Sequence, residues 1–225
     1  MRRYIYFVFL LCCAVNLLLT SCVRQKYVVM DMVHHNPGEA MTESKFLDPS
    51  FLKKNEYGAK VFFLFEAAQF GIDWKSFDPS LFPDTTEAGR WVAEKAEIIH
   101  KKYDAAKKED LQVYCMLDML VLPSLLVEKH RTELTNEQGK LDISKPYTQL
   151  CIRELMKEMF ETFPQLDGLV IRTGETYLHD APYYVGNHPV QNGMYDHITL
   201  INLLREEVCE RRNKKLFYRT WDMGQ

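Results

Sequence analysis

Five short apolar runs, each followed by a polar stretch and then an amphipathic segment, constrain this chain more than any other feature. The runs are "KYVVMDMVHHNPGE", "AKVFFLFEAAQFGIDW", "LQVYCMLDMLVLP", "DGLVIRTGE" and "KLFYRTWDMG". They are nearly continuous in apolar character instead of alternating with period two. A strand needs that pattern when both of its faces are covered, as in a parallel sheet packed under helices. The spacing predicts parallel strands near 28–34, 61–66, 112–118, 168–172 and 215–220, adjacent in chain order.

Helical periodicity fills the gaps. "FLDPSFLKKNEYG" reads as a short, imperfect helix. Residues 87–110 place Val92, Ala96, Ile99, Tyr103 and Ala106 on one stripe. Pro146 suits the first turn of a helix that carries Ile152, Leu155, Met156, Met159 and Phe163 on one face. The segment "YDHITLINLLREEVCERRNKK" is read with Ile198, Ile201, Leu204 and Val208 inward. Its basic end, Arg211 to Lys215, reads as a solvated face that suits a helix C-terminus.

Five such units fit either an open doubly wound sheet or part of a (β/α)8 barrel. No G-x-G-x-x-G follows any strand, which disfavours a nucleotide-binding sheet. Loop lengths are uneven. Long connections follow the second, third and fourth strands, over about 67–87, to about 145, and over about 176–193. The returns from helix to strand are tight, at Pro164–Asp167 and around Asn213. Long loops gathered at the C-terminal strand ends describe a functional face.

The N-terminus reads as an address. Arg2 and Arg3 precede the apolar "YIYFVFLLCCAVNLLL", and Leu19-Thr20-Ser21-Cys22 ends it with the pattern of a bacterial lipobox. Residues 1–21 are therefore expected to be a signal peptide and 22–225 the domain, with Cys22 lipidated and the protein tethered in a bacterial cell envelope. A retained transmembrane anchor is the alternative. The full chain carries −3 and loses two arginines with the signal. With no basic cluster along it, nucleic acid is not an expected partner. Cys115, Cys151 and Cys209 stand alone on apolar segments, without C-x-x-C or zinc spacing, and are expected to be small core residues.

The fourth run ends in "VIRTGE", and an aromatic, histidine-bearing loop follows. Glu175 at a strand end under aromatic cover has the setting in which burial raises a carboxyl pKa for general acid work. Trp74, Phe77, Tyr177, Tyr183, Tyr184 and Trp221 fall on strand-end loops, and the flat rings of tyrosine and tryptophan, with their polar rims, suit sugars. Arg172 is a candidate fork for a substrate carboxylate, or else a partner of Glu175 or Asp118. Asp118 is either part of the site or a satisfied interior group, and Glu66 reads as structural. Asp222 and His34 complete the substrate-binding candidates. His34 and His35 are adjacent, so on a strand they face opposite ways, and no metal site is expected. His179 and His188 read as ordinary loop residues.

With its βα order and the "VIRTGE" ending, the chain resembles (β/α)8-barrel glycoside hydrolases of clan A, near the α-glucuronidase and hexosaminidase-type barrels. It also resembles the barrel lipoproteins that Bacteroidetes export for glycan use. The resemblance implies a TIM-type parallel (β/α) barrel, here incomplete at about five βα units, with Glu175 as acid/base and no cofactor. It departs from the clan at Gly174, where Asn is usual, and it lacks the seventh strand that carries the nucleophile. It implies a carbohydrate partner and general acid/base hydrolysis of a polysaccharide or oligosaccharide. The alternatives are a non-catalytic glycan-binding lipoprotein and an inactive fragment.

Overall fold

A computed structural model of the 225-residue chain describes residues 28–31, 44–63, 66–174, 176–178 and 180–219. The expected signal peptide with Cys22, together with His34, Glu175, His179, Trp221 and Asp222, lies outside the described residues.

The order of elements is β1 (Met30–Asp31), α1 (Pro49–Lys54), β2 (Ala59–Phe62), α2 (Glu87–Lys108), β3 (Gln112–Asp118), β4 (Val121–Pro123), α3 (Ser124–Lys129) and α4 (Arg131–Leu134). Then come α5 (Pro146–Thr162), β5 (Gly168–Arg172), β6 (Tyr184–Gly186), α6 (Met194–Leu204), a π-helical segment (Arg205–Glu210) and β7 (Lys215–Arg219). β1, β2, β3, β5 and β7 form one five-stranded sheet in that order, and every pair in it is parallel. The order never reverses, so there is no switch point of the doubly wound kind. The five strands curl as a half-barrel with helices, an incomplete TIM-type architecture.

Strand pleating divides the core. Phe62, Val113, Cys115, Leu117, Leu169 and Ile171 join the large cluster under the helices. Their alternates Ala59, Val61, Phe63, Tyr114, Met116 and Val170 form a second cluster on the opposite, inner face. β5 opens with Gly168 because a Cβ there would lie 2.1 Å from the Lys215 carbonyl oxygen and 2.9 Å from the Tyr114 ring.

Local chemistry sets the helix ends. Thr86 caps α2 by accepting the Gly89 N–H at 3.0 Å. Pro146 stands in the first turn of α5, where its missing N–H costs nothing. Val92, Ile99, Tyr103 and Ala106 face inward from α2 and Ala96 is half-buried, while Ile152, Leu155, Met156 and Met159 are buried on α5 and Phe163 at its C-cap. Cys115 and Cys151 are buried free thiols and Cys209 is half-buried, in keeping with their reading as core residues. Burial pushes both buried thiols up to about 12, which makes them inert at neutral pH.

Two features differ from the sequence reading. The antiparallel β4–β6 ribbon, pairing Val121 with Gly186 and Pro123 with Tyr184, was not expected. On α6 the inward residues are Leu200, Leu203 and Leu204, while Ile198 is exposed.

Candidate functional site

The strand register builds the site. Asp118 pairs with Arg172 across β3 and β5, and Arg172 with Arg219 across β5 and β7. Alternation from Tyr114 and Val170 points Asp118 and Arg172 to the inner face, at the C-terminal strand ends. Parallel (β/α) folds assemble their sites there.

Asp118 and Arg172 form a buried bidentate pair. The Arg172 Nε donates to Asp118 Oδ1 at 2.6 Å and Nη2 donates to Oδ2 at 2.7 Å. Their side chains are 3% and 6% exposed. Asp118 Oδ2 also accepts the Tyr177 backbone N–H at 2.9 Å, which ties the loop after β5 to β3. Two aromatic rings lie against the guanidinium: Phe63 at 4.5 Å and Tyr177 at 4.6 Å from its central carbon. Fork, ring faces and burial fix Arg172 in one position, as a planar delocalised cation allows and an ammonium does not.

The backbone turns just past this pair. Thr173 is fully buried and its hydroxyl reaches the Arg219 carbonyl at 3.4 Å. Gly174 has φ of 101°, a conformation L side chains rarely adopt. That accounts for glycine at the position before Glu175. Beyond it the buried Thr176 Oγ1 has no hydrogen-bond partner among the described residues. On the helix side of the same strand ends, the Tyr218 hydroxyl meets His197 Nδ1 at 3.0 Å. Burial, partly offset by the Thr173 hydroxyl, pushes the Tyr218 phenol up to about 12.

The structure brings together only part of the expected set. Asp118, Arg172 and Tyr177 converge, and the expected Arg172–Asp118 partnership is observed, while Glu175 lies outside the described residues. Trp74 and Tyr184, expected to line a sugar site, are core residues instead: 0% and 5% exposed in the helix-side cluster, with no face open to a ligand. Tyr183 also packs on that side, edge-on to Trp91 at 5.7 Å, apart from Arg172. Phe77 contacts Trp74 and Tyr147. Glu66 pairs with Lys102, the structural role expected of it. The His188 Nδ1 accepts the Val190 N–H at 2.8 Å, a local loop contact.

Phe63, Thr173, His197 and Tyr218 were not singled out from the sequence. Phe63 had a legible signal, since it continues the inner-face alternation of Ala59 and Val61. The His197–Tyr218 contact joins a helix to a strand and leaves no local pattern. Among the described residues no group of three or more His, Cys, Asp or Glu could hold a metal ion.

No family model matches the chain, and no curated protein matches it. Among solved structures it is similar to the crystal structure of a noncanonic maltogenic alpha-amylase, AmyB, from Thermotoga neapolitana. The identity is 14% and the TM-score 0.45, over 83% of this chain and 43% of the amylase. The chain thus spans less than half the length of that protein. A likeness of that size leaves the fold class to rest on the strand order itself.

Proposed function

We propose that the chain belongs to a carbohydrate-active barrel that cleaves glycosidic bonds, with Glu175 as proton donor to the leaving oxygen. One observation carries this reading: a rigid Asp118–Arg172–Tyr177 assembly at the C-terminal ends of parallel strands, with Gly174 turning the backbone immediately before Glu175. A proton donor must be held to a fraction of an ångström, and strand ends hold side chains more firmly than loops do. In this reading Arg172 and Asp118 set the charge and the backbone path beside Glu175. Tyr177 offers the sugar a ring that Arg172 already holds in place, and Trp221, Asp222 and His34 contribute from their own strand-end segments. Because Asp118 is committed to Arg172, the second carboxylate that glycoside hydrolysis requires comes from another residue.

The test is turnover of a panel of aryl glycosides by the full chain and by Glu175→Gln. The substitution is expected to lower turnover by about 10²–10⁴ and to leave glycan affinity intact. Wild-type turnover in the variant removes Glu175 from the chemistry. Glycan binding without turnover in the parent favours a binding lipoprotein. The envelope location is part of the same proposal. Cys22→Ser should release the protein from the membrane fraction and abolish an acyl mass shift, and unchanged fractionation counts against the anchor.

A further inference from the structure

A cleft opens among the strand-end loops, on the helix side of the sheet. Its walls come from the loop preceding α2, the β4–α3 junction and the Pro182–Tyr183 step. Its volume is about 350 Å³, toward the small end of the roughly 300–1,000 Å³ of small-ligand pockets. Tyr183, Pro182, Pro123 and Leu125 supply flat apolar surface, and Ser124 and Glu128 supply polar groups. The Tyr183 ring is set in place by Trp91, whose ring lies edge-on at 5.7 Å. Glu128 is exposed and is the one charged residue in the lining, while Lys129 reaches the lining Ser80 hydroxyl and is paired with Asp78 at 2.8 Å.

The aromatic loop is thus divided between the two faces of the sheet. Tyr177 packs with the inner-face cluster beside Arg172, whereas Tyr183 packs with the helix-side cluster and faces the cleft. We propose that the cleft is a second carbohydrate subsite that takes one neutral hexopyranose unit. The apolar face of the ring would lie on Tyr183 and the prolines, and its hydroxyls would donate to Glu128 and exchange hydrogen bonds with Ser124. Carboxylates at Glu128 and, beside the Tyr183 hydroxyl, at Glu87, with the nearby Lys129 ammonium held by Asp78, disfavour uronates and sugar phosphates and leave neutral sugars, which have donors to offer them. The choice of ligand class rests on the carbohydrate reading of the strand-end site. The cleft itself does not.

The experiment is saturation-transfer NMR on the full chain with methyl β-glucopyranoside, methyl β-galactopyranoside, methyl α-mannopyranoside and glucuronic acid as probes. At least one neutral glycoside is expected to bind in preference to glucuronic acid. Tyr183→Ala should weaken that binding about tenfold, and Glu128→Gln severalfold. Glu175→Gln should leave it unchanged. If Tyr183→Ala fails to fold, Glu128→Lys carries the test at an exposed position, and it is expected to shift the preference toward glucuronic acid. The proposal is overturned if no neutral glycoside binds, if glucuronic acid is preferred by the parent, or if the Glu128 variants bind like the parent. Loss of aryl-glycoside turnover in Glu175→Gln with cleft binding retained supports both readings. Cleft binding without any turnover sinks the catalytic reading alone.

Discussion

Arg172 and Asp118 are each costly to bury alone and inexpensive to bury together. The pair is buried, Asp118 accepts three hydrogen bonds, and the cation lies against two rings. Removing Asp118 takes from the buried guanidinium the carboxylate that holds it through two hydrogen bonds. Asp118→Ala should therefore destabilise the fold by about 3–5 kcal/mol, whereas Asp118→Leu combined with Arg172→Met should recover most of that loss. Urea unfolding of the two variants checks this. A double variant no more stable than Asp118→Ala would show that the pair contributes more than its own desolvation. At Gly174, φ of 101° makes any Cβ a source of strain. Gly174→Ala should cost about 1–3 kcal/mol, and because it re-aims the backbone next to Glu175 it should lower any turnover more than it lowers the melting midpoint.

Between elements, α5 is joined to the π-helical segment by charge. Arg153 reaches Glu206 at 2.8 Å and also pairs with the buried Glu207, while Arg211 and Arg212 approach the same two carboxylates. Hydrogen bonds from Arg153 and Arg211 hold the Glu206 carboxyl down at about 2, against an ordinary 4.5. A depressed folded pKa gives stability that is present above the unfolded value and lost as pH falls toward the folded one. The contribution of Glu206 should thus be complete above about pH 5 and gone near pH 2. Glu206→Gln should lower the urea midpoint at pH 6 and converge with the parent near pH 2; an equal deficit at both pH values would contradict this origin. Strand positions were legible in the sequence because a strand covered on both faces must be an unbroken apolar run, as in residues 113–117 and 168–171. The face of α6 was not. Apolar residues ring that helix, from Ile198 and Leu200 to Ile201, Leu203 and Leu204, so periodicity could not choose the inward side. The β4–β6 ribbon pairs residues some sixty positions apart and leaves no local trace. The aromatic loop was legible as composition, but which side of the sheet each ring takes depends on that ribbon, which buries Tyr184 and turns Tyr183 away from Tyr177.

Across the whole molecule, the sheet is graded in protection. Every residue of β5 is buried and so is every residue of β3 after Gln112, because helices cover one face and the inner cluster the other. β7 has a burial pattern in which no residue is fully covered, and its inner-face Phe217 is 39% exposed although it meets Tyr114 edge-on at 5.4 Å. β1 contributes two residues to the ladder. Amide protons exchange through the least costly opening that frees them, and that cost follows local burial and pairing on both sides. Hydrogen exchange should accordingly be slowest at Tyr114 to Leu117 and Leu169 to Ile171, intermediate over Val61 and Phe62, and fastest over Leu216 to Arg219. The central strands should track global unfolding as denaturant is added, and β7 should exchange by local opening that denaturant scarcely affects. Protection of β7 equal to that of β3 would mean that its outer edge is covered by pairing beyond the five described strands. Repeating the measurement over a range of protein concentrations identifies the source: protection that grows with concentration belongs to association between copies, and protection that does not belongs to the chain's own segments.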